Sequence, residues 1–246
     1  MDIENKVVVI TGSSSGIGKE TALAFAAEGA NVIVNSRINV DGGKAVVEEI
    51  KKKGGNAIYV QADVSNPDDI KKLFDETIRK YRTIDILINN AAYPSEKVPF
   101  FEASKQDLLD LMDINVIAMM LCSQYAIKFM KKQGYGKIIN TSSIKGWEHG
   151  GGSITYAVSK AAVNSFTRTL AKQVAPTIQV NAVAPGYTKT RIYDGIPDEK
   201  IQEWIDGTYL KRWVTVEEIA RTFIFIAEND AMTGQVIYVD AGFTLK

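Results

Sequence analysis

Hydrophobic residues in this chain fall into short unbroken runs, separated by amphipathic stretches of helical period. The runs are "KVVVIT" (6–11), "NVIVNS" (31–36), "NAIYVQADV" (56–64), "IDILINNAA" (84–92), "GKIINTSS" (136–143), "IQVNAVAPG" (178–186) and "GQVIYVDAG" (234–242). They are apolar along their length rather than alternating, the pattern of strands buried on both faces of a parallel sheet. Between them lie "GKETALAFAAEG", closed by Gly29, and "KAVVEEIKKKGG", ended by Gly54. "NPDDIKKLFDETIRKY" follows, with Asn66 as N-cap and Pro67 at the first helical position. A long helical pattern covers about 104–132, and "TYAVSKAAVNSFTRTLAKQVA" and "VEEIARTFIFIAEN" complete the set. Strand–helix alternation with right-handed crossovers predicts an α/β fold. It is a single-domain Rossmann-type, doubly wound parallel sheet of about seven strands flanked by helices. No linker divides residues 1–246. The segment 186–214 lacks strand signals and reads as a substrate lid within that domain.

Composition narrows the function. Lys+Arg and Asp+Glu are both 29, so the formal net charge is zero and neither nucleic acid nor an anionic membrane is called for as partner. The N-terminus runs into the first strand without the pattern of a secretion signal, and the apolar runs are too short to span a bilayer. The one cysteine, Cys122, excludes an internal disulfide and fits a cytoplasmic location, its bland reading being a small core residue.

The chemistry begins after the first strand, in "TGSSSGIGKE" (11–20). Gly12, Gly16 and Gly18 allow a tight turn and let backbone N–H groups approach a phosphate at a helix N-terminus. A P-loop fails on spacing, and Glu20 replaces the Ser/Thr that would hold Mg²⁺. At the end of the second strand, where an NAD site carries an acid, stand Ser36 and Arg37. A guanidinium pairs with a 2′-phosphate that an acid would repel, so NADP(H) is preferred over NAD(H). Further on, Tyr156 and Lys160 are four residues apart, on one helix face, where Lys160 would lower the phenol's pKa from about 10 toward the range of general acid–base work. No His/Cys/Asp cluster suggests a metal.

With T-G-x-x-x-G-x-G at 11–18, "NNAA" at 89–92, Asn115 within the next helix, "TSS" at 141–143, Y-x-x-x-K at 156–160 and "PGYTKT" at 185–190, the chain resembles the short-chain dehydrogenase/reductase family over almost its whole length. Within it, the 3-oxoacyl-acyl-carrier-protein reductase-like group is most similar, and sugar and polyol dehydrogenases come close behind. The resemblance implies a catalytic tetrad of Asn115, Ser143, Tyr156 and Lys160. Ser143 fits the family's spacing to the tyrosine, and Ser142 is the alternative. Tyr156 would give its proton to the substrate oxygen, Ser143 would donate to the same oxygen, and Asn115 would hold a water that passes protons from Lys160. The cofactor would be held by Gly12, Ser14, Ser15, Gly16, Ile17 and Gly18, by Ser36 and Arg37, and by Asp63 and Val64 around the adenine. Asn89, Ala91, Tyr156, Lys160, Pro185, Gly186, Thr188 and Thr190 would complete its site. The family's usual "NNAG" and "VDGG" carry Ala92 and Ala241 here.

Ser143, Trp147, Tyr156 and Tyr187 are the expected substrate contacts. Trp147 lies in "IKGWEHGGGSIT", a loop that should border the substrate, and His149 there reads as exposed. A basic face of Lys128, Lys131, Lys132, Lys137, Arg168 and Lys172 would suit an acidic carrier protein, so a carrier- or CoA-bound 3-oxoacyl group is the first substrate. A polyol, favoured by the polar Glu148, His149 and Ser153, is the second, and a cofactor sensor without turnover is the third reading. The family also implies a homotetramer.

Overall fold

The computed structural model describes residues 1–93, 98–147, 153–190 and 193–245. Seven parallel strands form one sheet: β1 (Val7–Ile10), β2 (Asn31–Ser36), β3 (Asn56–Gln61), β4 (Ile86–Asn89), β5 (Gly136–Thr141), β6 (Ile178–Pro185) and β7 (Val236–Val239). Their order is β3-β2-β1-β4-β5-β6-β7, which reverses direction between β1 and β4. The doubly wound expectation is met. Alternate residues of β1 show why its run is continuously apolar. Val8 and Ile10 enter the core beneath α1 (Gly16–Ala27), α2 (Val40–Lys52) and α8 (Val216–Glu228), with Phe25, Val46 and Phe223. Val7 and Val9 enter the opposite core with Leu73, Phe74 and Cys122, beneath α3 (Pro67–Tyr81), α5 (Ala118–Gln133) and α6 (Ile154–Val174). Cys122 is buried, and burial pushes its thiol up to about 12.

Asn66 caps α3 as expected, its side chain accepting from the N–H groups of Asp68 and Asp69. Helix α2 starts four residues before the pattern suggested. Asn39 accepts from Gly42 N–H and carries the helix through Gly42–Gly43. Gly43 is there because Tyr59 lies against it: a Cβ would stand 2.3 Å from Tyr59 Cε2.

The long pattern at 104–132 is not one helix. Helix α4 (Lys105–Met112) passes through a π-helical turn at Asp113–Ile117 before α5 begins. Taken together, Lys105–Gln133 is long and apolar enough to cross a membrane by length and composition, contrary to the expectation that no run is, but part of its surface is buried within the fold. Segment 186–214 contains a helix the sequence reading missed, α7 (Asp198–Asp206). Its two ends are tied by a Thr188–Val214 bridge and by Val214 N–H donating to Tyr187 O at 3.0 Å.

Candidate active site

A cleft of about 1020 Å³ opens where the chain leaves the C-terminal ends of β1 to β6, the position at which open parallel sheets bind ligands. Its nucleotide end is built by the glycine turn. Gly12 has φ +64°, and a Cβ on Gly18 would lie 2.4 Å from Gly12 O and 2.5 Å from Asn90 Nδ2. The turn therefore packs too closely for any side chain, and the N-terminus of α1 enters the cleft. Ser15, its N-cap, makes no side-chain capping bond, and the first turn carries no acid. By contrast α2, α3, α4 and α8 are each capped by a side chain. Uncapped N–H groups at a positive helix end suit a phosphate.

Ser14, Ser15, Gly16, Ile17, Ser36, Arg37, Asp63, Val64, Ala91, Pro185, Gly186, Thr188 and Thr190 all line the cleft, as expected from the sequence. Ser36 Oγ donates to Asn39 O at 2.9 Å and lies 2.9 Å from Tyr59 OH. Arg37, 44% exposed, reaches Asp63 Oδ2 at 3.4 Å and Tyr93 OH at 3.4 Å. Its charge is thus held over the rim beyond β2. Ala92 lines the cleft.

Asn89 is a correction. Its side chain turns inward, Nδ2 donating to Asn140 Oδ1 at 2.9 Å and Ser123 Oγ at 3.1 Å, and it forms no part of the wall. Asn90 lines the cleft instead, with Nδ2 bracing the carbonyls of Thr11 and Gly12 at 3.0 Å each. Strand alternation decides which of two adjacent asparagines faces out, and the sequence pattern at a strand end does not.

At the catalytic end Ser143, Tyr156 and Lys160 converge. Ser143 Oγ accepts from Lys145 N–H at 3.1 Å and lies near enough to the Tyr156 phenol to favour its ionised form. Ser142 Oγ donates to Asn164 Oδ1 at 2.6 Å, which turns its hydroxyl proton away from the cleft. Lys160 is buried, donates to Thr141 O at 2.8 Å and stands 5.5 Å from the Tyr156 ring centroid. Burial depresses its ammonium from 10.5 to about 8. The expected lowering of Tyr156 is not found in the protein alone. Burial raises its phenol, and only the nearby Ser143 hydroxyl opposes this. Desolvation is the larger of the two effects on this buried phenol.

Asn115 also departs from expectation. It sits in the π-helical turn, buried behind the wall. Oδ1 accepts from Tyr93 N–H at 2.8 Å, and Nδ2 donates to Tyr93 O and Ser159 Oγ at 3.1 Å each. Both amide protons are committed, so the side chain positions Tyr93 and leaves no donor for a relay water. Trp147, expected as a substrate contact, does not line the cleft. Its indole meets Tyr238 edge-to-face at 5.6 Å, outside the cleft. His149 and Glu148 lie outside the described residues. Tyr187 does line the cleft, in company the sequence reading missed: Tyr193, Trp204 and Phe243. The aromatic content of 187–213 was the available signal.

The basic face is split. Lys137 is buried, with Nζ 2.7 Å from Asp230 Oδ1. Lys131 and Lys132 are in the last turn of α5 and Lys172 in that of α6. In a parallel βα sheet those helix ends return to the N-terminal edge, opposite the cleft. Among the described residues no group of three or more His, Cys, Asp or Glu could hold a metal ion.

A family model described as enoyl-(acyl carrier protein) reductase matches residues 12–244. The chain is 38% identical over 244 residues to a 3-oxoacyl-[acyl-carrier-protein] reductase of Synechocystis, covering 98% of this chain and 97% of that one. A crystal structure of a short-chain type dehydrogenase/reductase from Mycobacterium marinum superposes with TM-score 0.92 at 34% identity, covering 100% and 98% of the two chains. A 7α-hydroxysteroid dehydrogenase complexed with NADH and 7-oxo glycochenodeoxycholic acid gives TM-score 0.92 at 31% identity, covering 98% and 94%. With the sheet order, the glycine turn and the Ser143–Tyr156–Lys160 group, these matches place the chain in the short-chain dehydrogenase/reductase family. It is an oxidoreductase of the carbonyl/alcohol class that uses a nicotinamide dinucleotide.

Proposed function

We propose that this chain is an NADP(H)-dependent ketoreductase that reduces a 3-oxoacyl thioester. The observation that carries the chemistry is the meeting of Ser143, Tyr156 and buried Lys160 in one wall of the cleft. The cleft's residues fit the cofactor. The side-chain-free turn at Gly12 and Gly18 and the uncapped start of α1 suit a pyrophosphate, and Arg37 suits a 2′-phosphate. Thr141 Oγ1, buried without a partner in the same wall, is a polar group that awaits one. When bound, the reduced nicotinamide supplies hydride.

The protein's own part follows from the geometry. Ser143 Oγ donates to the substrate carbonyl oxygen and polarises it. Tyr156 gives its phenolic proton to that oxygen as negative charge develops. The phenolate left behind is stabilised by the same serine and by Lys160's ammonium in a low-dielectric wall. Asn115 keeps Tyr93 and the strand-four loop in register with α6 through Ser159.

The Synechocystis relative's name supports a carrier-bound 3-oxoacyl substrate. The far-edge lysines do not, so a carrier would have to approach the cleft mouth itself. A homotetramer is supported by exposed apolar residues on helices: Ile117, Ile154 and Val158 around α5–α6, and Phe225 on α8. The buried lone cysteine suits a cytoplasmic setting.

Steady-state oxidation of NADPH and of NADH with acetoacetyl-CoA tests this reading. We expect kcat/KM to favour NADPH by at least about tenfold, and Arg37→Ala to remove most of that preference through the KM for NADPH. A preference for NADH in the unaltered enzyme would overturn the cofactor assignment, and absence of turnover with both would overturn the activity.

A further inference from the structure

The wall that meets the reacting phenol is made of rings. Tyr187 and Trp204 stack with centroids 4.9 Å apart at 7°, and Phe243 meets Tyr187 edge-on at 5.3 Å. Tyr193 packs edge-on against Trp204 at 5.7 Å and against Trp213 at 4.7 Å. All but Trp213 line the cleft. The rings interlock, so they are ordered before a ligand arrives, and that lowers the entropy lost on binding. The wall begins at the chemistry itself. Tyr187 and Tyr193 line the same cleft as Tyr156, and Tyr187 OH accepts from Lys145 Nζ at 3.5 Å, two residues beyond Ser143. A substituent borne directly on the reacting carbonyl would therefore meet aromatic faces and edges. Offset and edge-on contacts at this spacing favour another ring over a flexible chain.

Tyr193 adds a polar feature. Its hydroxyl makes no hydrogen bond among the described residues, and burial pushes its phenol up, so it remains a neutral donor. Ser143 and Tyr156 serve one substrate oxygen. A third donor in the same cleft suits a second oxygen.

We propose that the aromatic wall of Tyr187, Tyr193, Trp204 and Phe243 selects 1,3-dicarbonyl substrates with a planar ring attached at or next to the reacting carbonyl, and that Tyr193 hydrogen-bonds their second oxygen. This rests on the ketoreductase reading and sets its substrate class: aryl-bearing 3-oxoacyl groups over long straight chains.

The test uses ethyl benzoylacetate, ethyl 3-oxohexanoate and propiophenone, which has the ring but only one oxygen. Turnover is followed with NADPH, and binding by quenching of tryptophan fluorescence in the cofactor-free protein. The benzoyl ester should exceed the straight-chain ester by about tenfold or more in both kcat/KM and affinity. Trp204→Ala should bring that ratio close to one. Tyr193→Phe should raise KM for the benzoyl ester by about fivefold or more with little change in kcat, and leave propiophenone unchanged. Equal use of the two esters would overturn the ring selection while leaving the ketoreductase reading intact. Equal effects of Tyr193→Phe on both aryl ketones would overturn the second-oxygen donor. Ring-selective quenching without turnover of any ketone would support the wall and sink the ketoreductase reading.

Discussion

Lys160 shows how one residue can serve function against stability. Its ammonium is buried with a carbonyl as its hydrogen-bond partner, and its folded-state pKa falls from 10.5 to about 8. Between those values the unfolded chain holds the proton and the folded chain does not, so the lysine's contribution to stability rises with pH across that window. Its burial penalty is fully felt below about pH 8. Against a Lys160→Met variant, the wild type should gain up to roughly 3 kcal/mol between about pH 8 and 10.5. Urea denaturation of both proteins at several pH values measures this, and a gap that does not change with pH would contradict it. Ala241 is a smaller case. It stands where the family has glycine and adopts φ +53°, a left-handed conformation that costs an alanine. Ala241→Gly should stabilise the fold by about 0.5–1 kcal/mol, readable as a rise in Tm.

Among the elements, the turn at Asp113–Ile117 matters most for the site. A continuous α-helix from 105 to 133 is what its apolar spacing suggests, and the π-helical turn is invisible in that spacing because it adds a residue to one turn without changing the residue types. Asn115 itself was legible as an unusual polar group in an apolar run, but its partner, the Tyr93 backbone, lies in a loop that no periodicity describes. Asn115→Ala would leave a buried N–H and C=O of Tyr93 and the Ser159 hydroxyl short of partners. We expect a loss of about 1–3 kcal/mol in stability together with weaker NADPH binding, measured by denaturation and by cofactor fluorescence. Unchanged stability would show that the Tyr93 loop holds itself in place. All seven strands were legible because their runs are apolar along most of their length, with little polar alternation to confuse them. Helix α7 was not, because it is short, mostly exposed and enclosed by loop residues. The inward turn of Asn89 and the edge-on seat of Trp147 against Tyr238 were hidden for a related reason: both depend on which way a side chain leaves a strand end or loop.

At the scale of the whole molecule, the sheet order creates one crevice where β1 and β4 part, and every catalytic candidate that reaches it comes from a strand end or from the start of α6. That is why motifs scattered over 180 or so residues in sequence form one site. Three rings of the aromatic wall, Tyr187, Tyr193 and Trp204, come from the segment after β6, and Phe243 comes from the turn after β7. The central claim is that Tyr156, in one wall with Ser143 and Lys160, is the proton donor in that crevice. Tyr156→Phe tests it most directly, with single-turnover NADPH oxidation and NADPH binding measured on the same protein. The rate should fall by about 10²–10⁴-fold while NADPH affinity stays within a few-fold of wild type. A variant that binds NADPH normally and keeps the wild-type rate would contradict the account.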